Sequence, residues 1–318
     1  MPVPPPVAVS ARSRAVPGPA VLWRFGRPHT LIGTTVSVLG LTALAVAELG
    51  APDPGTLALH LLFTLVAGLA VNVFIVGVNQ LADVEIDRIN KPELPIAAGE
   101  LSAEAARVVC GACAAVALAL ALSQGPAETI AVTLGLAIGA AYSLEPLRLK
   151  RFPLAAALSI TFVRSCVVNL GVWLHLSGAF GGGERLSDVA PAVWALTAAT
   201  LPFAFAIAVL KDVPDAEGDR RFGIRTFTVR LGQAVAVRLG VVALLVATLG
   251  LGVAALLLLP PAPAIALAAF QGGAAAWMWA GARDLRDHAG VVAFYRSVWR
   301  LFFLEYVVVP AAFAAAAA

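Results

Sequence analysis

Charged side chains are scarce in this chain of 318 residues: 13% are Asp, Glu, Lys or Arg, whereas 60% are hydrophobic. A water-soluble domain carries about 25% charged residues, so a soluble globular fold is excluded. Cysteines are also few, and Cys110, Cys113 and Cys166 all lie in apolar runs, which argues against a disulfide framework. The CxxC pair has no second pair and no flanking histidine, so we interpret it as packing rather than a zinc site.

Long apolar runs fill most of the chain, each near the roughly 20 residues that cross a bilayer as a helix. They lie at residues 28–48, 57–82, 103–122, 128–146, 153–177, 190–211, 234–259, 262–282 and 298–317. These runs predict an all-α, polytopic membrane protein with nine transmembrane helices. Residues 1–22 have no apolar stretch long enough for a signal peptide and are predicted to be a flexible cytoplasmic tail. Residues 23–318 then form a single membrane domain.

The basic residues indicate how the chain is oriented. Twenty of the 22 lysines and arginines lie in the N-terminal segment, in the even-numbered breaks between spans or at the adjoining helix ends. Arg185 lies in an odd-numbered break, and Arg164 lies inside the fifth span. The positive-inside rule then predicts a cytoplasmic N-terminus and a C-terminus across the membrane. The net charge of +3 is explained by basic residues that follow the membrane topology. We therefore expect no nucleic-acid partner.

Two groups of polar residues follow the second and the sixth span, in the stretches NQLADVEID and KDVPDAEGD. They are Asn79, Asp83 and Asp87 in the first group, and Asp212, Asp215 and Asp219 in the second. Spacings of three and four residues put each group along one face of a helix, whereas Glu85 and Glu217 point elsewhere. Pro214 and Gly218 are expected to kink or end the second helix.

A constant shift of 132 residues relates Asp83 to Asp215 and Asp87 to Asp219. The shift predicts two repeats of four helices, at about 23–150 and 151–282, with a ninth helix added. If the repeats meet at a pseudo-twofold axis, the acids surround one cavity, where their mutual repulsion requires cations. Carboxylate and amide oxygens suit Mg²⁺, which binds through one or two carboxylates plus substrate phosphate oxygens.

Acids, Mg²⁺ and basic residues at a membrane cavity indicate an amphipathic diphosphate ester as substrate. The metal stabilises the departing diphosphate while the apolar tail lies among the helices. An allylic diphosphate ionised in this way leaves a carbocation, which an electron-rich partner captures. Basic residues able to hold diphosphate oxygens are present at Lys91, Arg148, Lys150, Arg151, Lys211 and Arg225.

At this point the chain resembles a known family. The NxxxDxxxD and DxxDxxxD motifs are similar to the paired signatures of the UbiA superfamily of intramembrane prenyltransferases. Six blocks are similar to its homogentisate phytyl/solanesyl transferase branch, beginning at Arg24, Gly77, Tyr142, Val163, Lys211 and Phe294. The resemblance implies nine helices around a central cavity that faces the cytoplasm. It also implies transfer of a polyprenyl group from its diphosphate to homogentisate, with loss of CO₂ and diphosphate.

The resemblance also implies roles for individual residues. It implies two Mg²⁺ ions, one served by Asn79, Asp83 and Asp87 and the other by Asp212, Asp215 and Asp219. The catalytic aspartates are then Asp83, Asp87, Asp215 and Asp219. The diphosphate would be held by Lys91, Tyr142, Ser143, Lys150, Lys211 and Arg225. For the aromatic acceptor we expect contacts from Arg27, His29, Arg164 and Asn169.

Other interpretations of these residues remain open at this stage. A charged Arg164 inside a span has a high free-energy cost and needs a partner. That partner is either a cavity acid or the carboxylate of the acceptor. Lys150 and Arg151 are either diphosphate ligands or markers of topology. Trp299, like Trp277 and Trp279, is read more simply as a packing or membrane-anchoring residue.

Other functions for the whole chain also remain open. The same scaffold could support a terpene cyclase that acts on a prenyl diphosphate such as geranylgeranyl diphosphate without an acceptor. The acceptor could also be a chlorophyllide, a haem, a hydroxybenzoate, a naphthoate or a lipid glycerol. A cation transporter would be expected to place its acids at mid-depth on broken helices, whereas these acids follow the ends of spans.

Overall fold

The computed structural model describes residues 18–285 and 288–317, and over these ranges the chain forms helices and no strand. Most of the predicted tail, residues 1–22, lies outside the described residues, and its last four residues belong to the first helix. The helices are α1 (Pro19–Phe25), α2 (Pro28–Leu49), α3 (Pro54–Ala82), α4 (Val84–Asn90), α5 (Ala103–Gln124), α6 (Pro126–Ser143), α7 (Pro153–Thr161), α8 (Val168–Ala179), α9 (Pro191–Leu210), α10 (Ala216–Arg221), α11 (Phe227–Leu231), α12 (Gln233–Leu258), α13 (Pro261–Gly281) and α14 (His288–Ala317).

Nine long helical segments in the described ranges correspond to the nine predicted spans, with α7 and α8 forming one segment. The predicted all-α class is confirmed. Seven of the nine are long and apolar enough to cross a membrane. The other two are α6 and α13, in which the polar residues Glu128 and Gln271 lower the hydropathy. Both side chains are buried inside the bundle, where a polar group is tolerated better than against lipid.

Local sequence signals set the helix starts. A proline occupies the first turn of α2, α3, α6, α7, α9 and α13, where its missing N–H removes no helical hydrogen bond. Asp53 caps α3 by accepting hydrogen bonds from the N–H groups of Gly55 and Thr56, at 3.0 and 3.1 Å. Ser102 caps α5 in the same way through Ala105, at 3.1 Å. Such caps satisfy N–H groups that have no partner within the helix.

The last helix is longer than the apolar run predicts. A span over residues 298–317 was expected, whereas α14 begins at His288. Val291, Phe294 and Val298 are buried at helical spacing, so packing extends the helix across a stretch whose arginines lower its hydropathy. The residues before Val298 therefore belong to the bundle rather than to a loop.

Helix contacts close a ring around the middle of the bundle. Helix α2 packs on α3, α3 on α6, α6 on α8, α8 on α9, α9 on α14, and α14 back on α2. Outside this ring, α5 packs on α3 and α6, and α12 packs on α9 and α13. Apolar side chains of the outer helices point away from the bundle: Leu122 of α5 is 69% exposed and Leu257 of α12 is 79% exposed. Such surfaces suit contact with lipid.

The helix bounds fit the predicted repeat. A shift of 132 residues carries α4 onto α10 to within one residue, and α5 onto α12 to within two residues at each end. The same shift carries α3 onto the range that contains α9. We therefore propose a duplication with parallel halves.

A close approach of two backbones at Gly40 holds α2 against α14. A Cβ atom on Gly40 would lie 2.2 Å from the carbonyl oxygen of Tyr306, and a backbone atom moves only with its helix. Gly40→Ala is therefore expected to force α2 and α14 apart and to destabilise the fold by about 1–3 kcal/mol. Thermal unfolding of detergent-solubilised protein measures the effect. The matched variant Gly250→Ala, with no atom near its added Cβ, should behave like the wild type, and equal stability of both variants would contradict this packing.

Candidate active site

The first acidic group lies where α3 gives way to α4. Asp83 occupies the junction with φ −117° and ψ 18°, so the predicted continuous helix is interrupted at this residue. The N–H of Asp87 donates to the carbonyl of Asp83 at 2.7 Å, which keeps the chain on a nearly helical path. Asn79 donates through Nδ2 to Oδ2 of Asp83 at 3.0 Å. The side chains of Asn79 and Asp83 are thus in contact, and Asp87 follows one turn later.

The second acidic group follows α9 through a longer turn. Asp212 and Asp215 precede α10, and only Asp219 lies within it. The prediction of one helical face for all three was wrong, because Pro214 cannot continue α9. Gly218 does not break α10, in contrast to the expectation. The N–H of Asp219 donates to the carbonyl of Asp215 at 3.1 Å, which repeats the bond seen at the first group.

Helices α4 and α10 pack against each other and bring the two acidic groups together. Oδ1 of Asn90 accepts a hydrogen bond from the N–H of Gly218 at 3.0 Å. A Cβ atom on Gly218 would lie 2.3 Å from the same oxygen, so this approach requires glycine. Lys91, at the end of α4, forms an ion pair with Asp215. Lys91, which follows the first acidic group in the sequence, therefore neutralises Asp215 of the second group.

Two basic residues neutralise the first acidic group. Lys150 lies in the turn between α6 and α7, is 5% exposed, and forms an ion pair with Asp83. Arg148 Nη2 lies 3.5 Å from Oδ1 of the same aspartate. Burial lowers the pKa of Lys150, whereas the negative charge of Asp83 acts in the opposite direction. A buried lysine needs an anion beside it, and Asp83 supplies one.

The end of α6 connects the two acidic groups. Lys211, which follows α9, donates through Nζ to the hydroxyl of Tyr142 at 3.1 Å. The same Nζ lies 2.9 Å from Oδ1 of Asp212. The hydroxyl of Ser143 accepts from Asn79 at 3.5 Å. Of the predicted diphosphate ligands, the lysines at 91, 150 and 211 each pair with a motif aspartate, Ser143 contacts Asn79, and Tyr142 contacts Lys211.

Arg225 lies apart from the acidic groups. With Arg148 and Arg151 it lines an open pocket whose walls include the side chains of Phe152 and Phe222. Within the described residues it forms no ion pair with the aspartates. The described structure thus gives Arg225 no hydrogen bond or ion pair to the two motifs, whereas Arg148, which lines the same pocket, lies 3.5 Å from Asp83.

The chemistry of the two acidic groups fits a divalent cation. Burial raises the pKa of Asp87 to about 6 and that of Asp219 to about 7. Oδ2 of Asp87 is buried and has no hydrogen-bond partner among the described residues. A nearby cation favours the charged form of such a carboxyl. Among the described residues, no three His, Cys, Asp or Glu side chains lie together in a group that could hold a metal ion by themselves. Mg²⁺ characteristically binds through one or two carboxylates together with waters and substrate phosphate oxygens.

The residues predicted to bind the acceptor fall into separate places. His29, in the first turn of α2, packs edge-on against Trp299 with 5.1 Å between ring centroids. The guanidinium of Arg164 lies over the same indole, 4.7 Å from its centroid. Arg27, between α1 and α2, has a left-handed φ of 54° and lies within electrostatic range of Asp87. His29 and Arg164 thus share one aromatic neighbour.

Asn169 belongs to a different cluster. Its Oδ1 accepts a hydrogen bond from the hydroxyl of Tyr306 at 2.6 Å, and its Nδ2 donates to the hydroxyl of Thr200 at 3.0 Å. Asn169 is fully buried. Since both ends of its amide are bonded to protein, its visible role is to join α8, α9 and α14.

Two aromatic residues near Arg164 were missing from the predicted site. Trp299 was read as a packing or anchoring residue, and Tyr295 was not singled out. Tyr295 packs edge-on against Trp299 at 6.4 Å. The spacing of Tyr295, Trp299, Phe302 and Tyr306 along α14 follows one helical face. That periodicity was the available signal, although it cannot by itself separate a cavity wall from ordinary core.

The chain is similar to known proteins over most of its length. Homogentisate phytyltransferase from Synechocystis sp. is 42% identical over 293 residues, which covers 91% of this chain and 94% of that protein. The chloroplastic homogentisate solanesyltransferase from Arabidopsis thaliana is 37% identical over 307 residues, covering 91% and 75%. A UbiA homologue from Archaeoglobus fulgidus, solved bound to GPP and Mg²⁺, is 16% identical and shares the fold with a TM-score of 0.63, covering 92% of this chain and 99% of that one.

A sequence profile of the UbiA prenyltransferase family matches residues 36–315. This range includes both acidic motifs, the lysines that pair with them and seven complete long helical segments. The apolar helices and the matched profile lead to one conclusion: this chain is an integral, multi-pass membrane protein and belongs to the UbiA prenyltransferase family.

Proposed function

We propose that this protein transfers a polyprenyl group from an isoprenoid diphosphate to a homogentisate-like aromatic acceptor. The observation that carries the proposal is the pairing of lysines with aspartates at the two acidic groups, near the contact between α4 and α10. Lys91 pairs with Asp215, Lys150 pairs with Asp83, and Lys211 contacts Asp212. A site that offers both carboxylates and buried or partly buried cations suits a metal–diphosphate complex, which itself carries both signs of charge.

The cation-binding residues are the aspartates of the two motifs, with Asn79 beside them. Bound Mg²⁺ supplies charge stabilisation to the departing diphosphate. We propose two ions, one for each acidic group, because Asp83 and Asp87 recur at the same spacing in the second group. Asp87 and Asp219 are the strongest candidates as ligands, since both are buried and form no ion pair within the described residues.

The basic and hydroxyl groups hold the diphosphate. Lys91, Lys150 and Lys211 are fixed by the aspartates before substrate arrives, so less ordering is needed on binding. Tyr142 and Ser143 stand between the acidic groups and offer hydroxyls to the same oxygens. These donors stabilise the negative charge that develops as the C–O bond breaks, and the acceptor ring then captures the allylic cation.

The orientation of the chain forms part of the proposal. The acidic groups follow the second and sixth long helices and lie among most of the basic residues. By the positive-inside rule, this end of the bundle and the N-terminus face the cytoplasm and the C-terminus lies on the opposite side. Soluble homogentisate would then reach the site from the cytoplasm, and the prenyl tail would lie among the helices.

Product analysis tests the proposed function. Detergent-purified protein receives homogentisate, Mg²⁺ and prenyl diphosphates of several lengths. We expect diphosphate release together with a prenylated quinol whose mass shows loss of CO₂, and no product when a chelator removes the metal. With geranylgeranyl diphosphate alone, we expect no cyclic product. A cyclic hydrocarbon or alcohol without any aromatic acceptor would favour the cyclase alternative, which the homogentisate-specific relatives disfavour.

A further inference from the structure

Arg164 is a charged residue inside a membrane-spanning helix. It lies in the π-helical turn Phe162–Val167 that joins α7 to α8, and such turns are frequent at functional sites. Among the described residues it forms no ion pair, and its Nε is buried without a hydrogen-bond partner. An unpaired charge away from water is strongly disfavoured, so an anion is expected beside it.

The surroundings of Arg164 are aromatic rather than acidic. Its guanidinium lies 4.7 Å from the centroid of Trp299 and 5.5 Å from that of Phe302. Cation–π contacts offset part of the desolvation, but they leave the N–H donors without an acceptor. The structure therefore excludes pairing of Arg164 with a cavity acid within the described chain, one of the two interpretations left open by the sequence.

Solvent reaches two of these side chains. Arg164 is partly exposed although it lies between helices, and His29 is exposed while its ring edge meets Trp299. Gly33 of α2 packs on the same group: an added Cβ would lie 3.2 Å from the Phe303 ring, 3.4 Å from the Trp299 ring and 3.8 Å from Arg164 Nη1. Glycine therefore leaves the side of Trp299 and Arg164 that faces α2 uncovered by a side chain.

The aromatic residues around Arg164 lie near the proposed diphosphate site. Tyr295, which packs on Trp299, lies within electrostatic range of Lys211 and Asp215 as well as Arg164. His29 lies within electrostatic range of Lys91 and Arg164. A ring held between Arg164 and the acidic groups would therefore be close to where the allylic cation forms.

We infer that Arg164 binds the carboxylate of the aromatic acceptor, with the ring held against Trp299 and His29. The inference rests on the proposed function, which it deepens by naming the acceptor site. The fork of a guanidinium matches a carboxylate through two N–H···O bonds. Lys91 and Lys211 already have acid partners on the diphosphate side, whereas Arg164 has its donors free. A carboxylate at Arg164 would neutralise the buried charge and orient the ring at once.

Equilibrium binding of homogentisate and of its methyl ester tests this inference without turnover. Both ligands are titrated into the detergent-purified full chain. The wild type is expected to bind the acid about 10- to 100-fold more tightly than the ester, the range expected for a charge-assisted bond. Arg164→Gln should reduce this preference to about one, and Arg164→Lys should retain part of it. Arg300→Gln, which removes an exposed arginine from α14, should keep the wild-type preference.

A second variant keeps the test independent of folding defects at Arg164. Gly33→Val places methyl groups against Trp299 and should weaken homogentisate binding while leaving the affinity for prenyl diphosphate within about twofold. Equal binding of acid and ester by the wild type, or an unchanged preference in Arg164→Gln, overturns the inference. A loss of prenyl diphosphate affinity alone in Arg164→Gln also overturns it, since Arg164 would then serve the diphosphate. Failure of the enzyme to form any adduct, with the acid preference intact, counts against the proposed function instead.

Discussion

Replacing Asp83 or Asp215 with alanine is expected to lower the rate of diphosphate release by about 1,000-fold or more, because charge stabilisation at the leaving group is lost. Each substitution also removes the anion that neutralises a lysine, Lys150 in one case and Lys91 in the other. The protein should still insert into membranes, since neither residue lies within a long helix. Release of diphosphate by purified variants, measured across a range of Mg²⁺ concentrations, checks the prediction.

The chain offers matched controls for these two variants. Glu85 and Glu217 are related by the same shift of 132 residues, and each lies two residues beyond one of the tested aspartates. Both are exposed and pair only with a neighbouring arginine on their own helix. Alanine at either position should leave turnover within about twofold of the wild type, because exposed ion pairs contribute little. Near-normal turnover in Asp83→Ala or Asp215→Ala would remove the metal assignment.

Much of this site is readable from sequence because its parts are local. Asn79, Asp83 and Asp87 follow a nearly helical path although α3 ends before Asp83, because the N–H of Asp87 donates to the carbonyl of Asp83. Charge scarcity and apolar runs likewise predict the nine long segments. These features depend on residues within one or two helical turns, where period and propensity decide the structure.

The remaining features depend on contacts between distant segments. The ion pair from Lys91 to Asp215 spans 124 residues and the contact from Asn90 to Gly218 spans 128, so neither follows from local spacing. The role of Trp299 depends on which side chain lies over its ring, and Arg164 comes from a different helix. Arg225 was predicted to contact the diphosphate because it follows the second acidic group closely in the sequence. The chain after α10 instead places Arg225 in a pocket with Arg148.

Lys150→Met is expected to raise the KM for prenyl diphosphate by about 100-fold, as lost charge-assisted bonds to phosphate oxygens predict. Lys150 is 5% exposed and contacts Asp83, so its positive charge lies beside the motif and is shielded from bulk water. The KM for homogentisate should change little. Steady-state kinetics with each substrate varied in turn separates these two effects.

The neighbouring variant Arg151→Met distinguishes a diphosphate ligand from a topology marker. Arg151 is exposed and pairs with Glu145, which is also exposed, so its substitution should change the KM for prenyl diphosphate by no more than about twofold. If both residues served only to orient the chain, the two variants would have similar kinetics and would differ only in membrane insertion. A large effect in Lys150→Met and a small one in Arg151→Met follow from their positions, because Lys150 is buried beside Asp83 whereas Arg151 faces solvent beside Glu145.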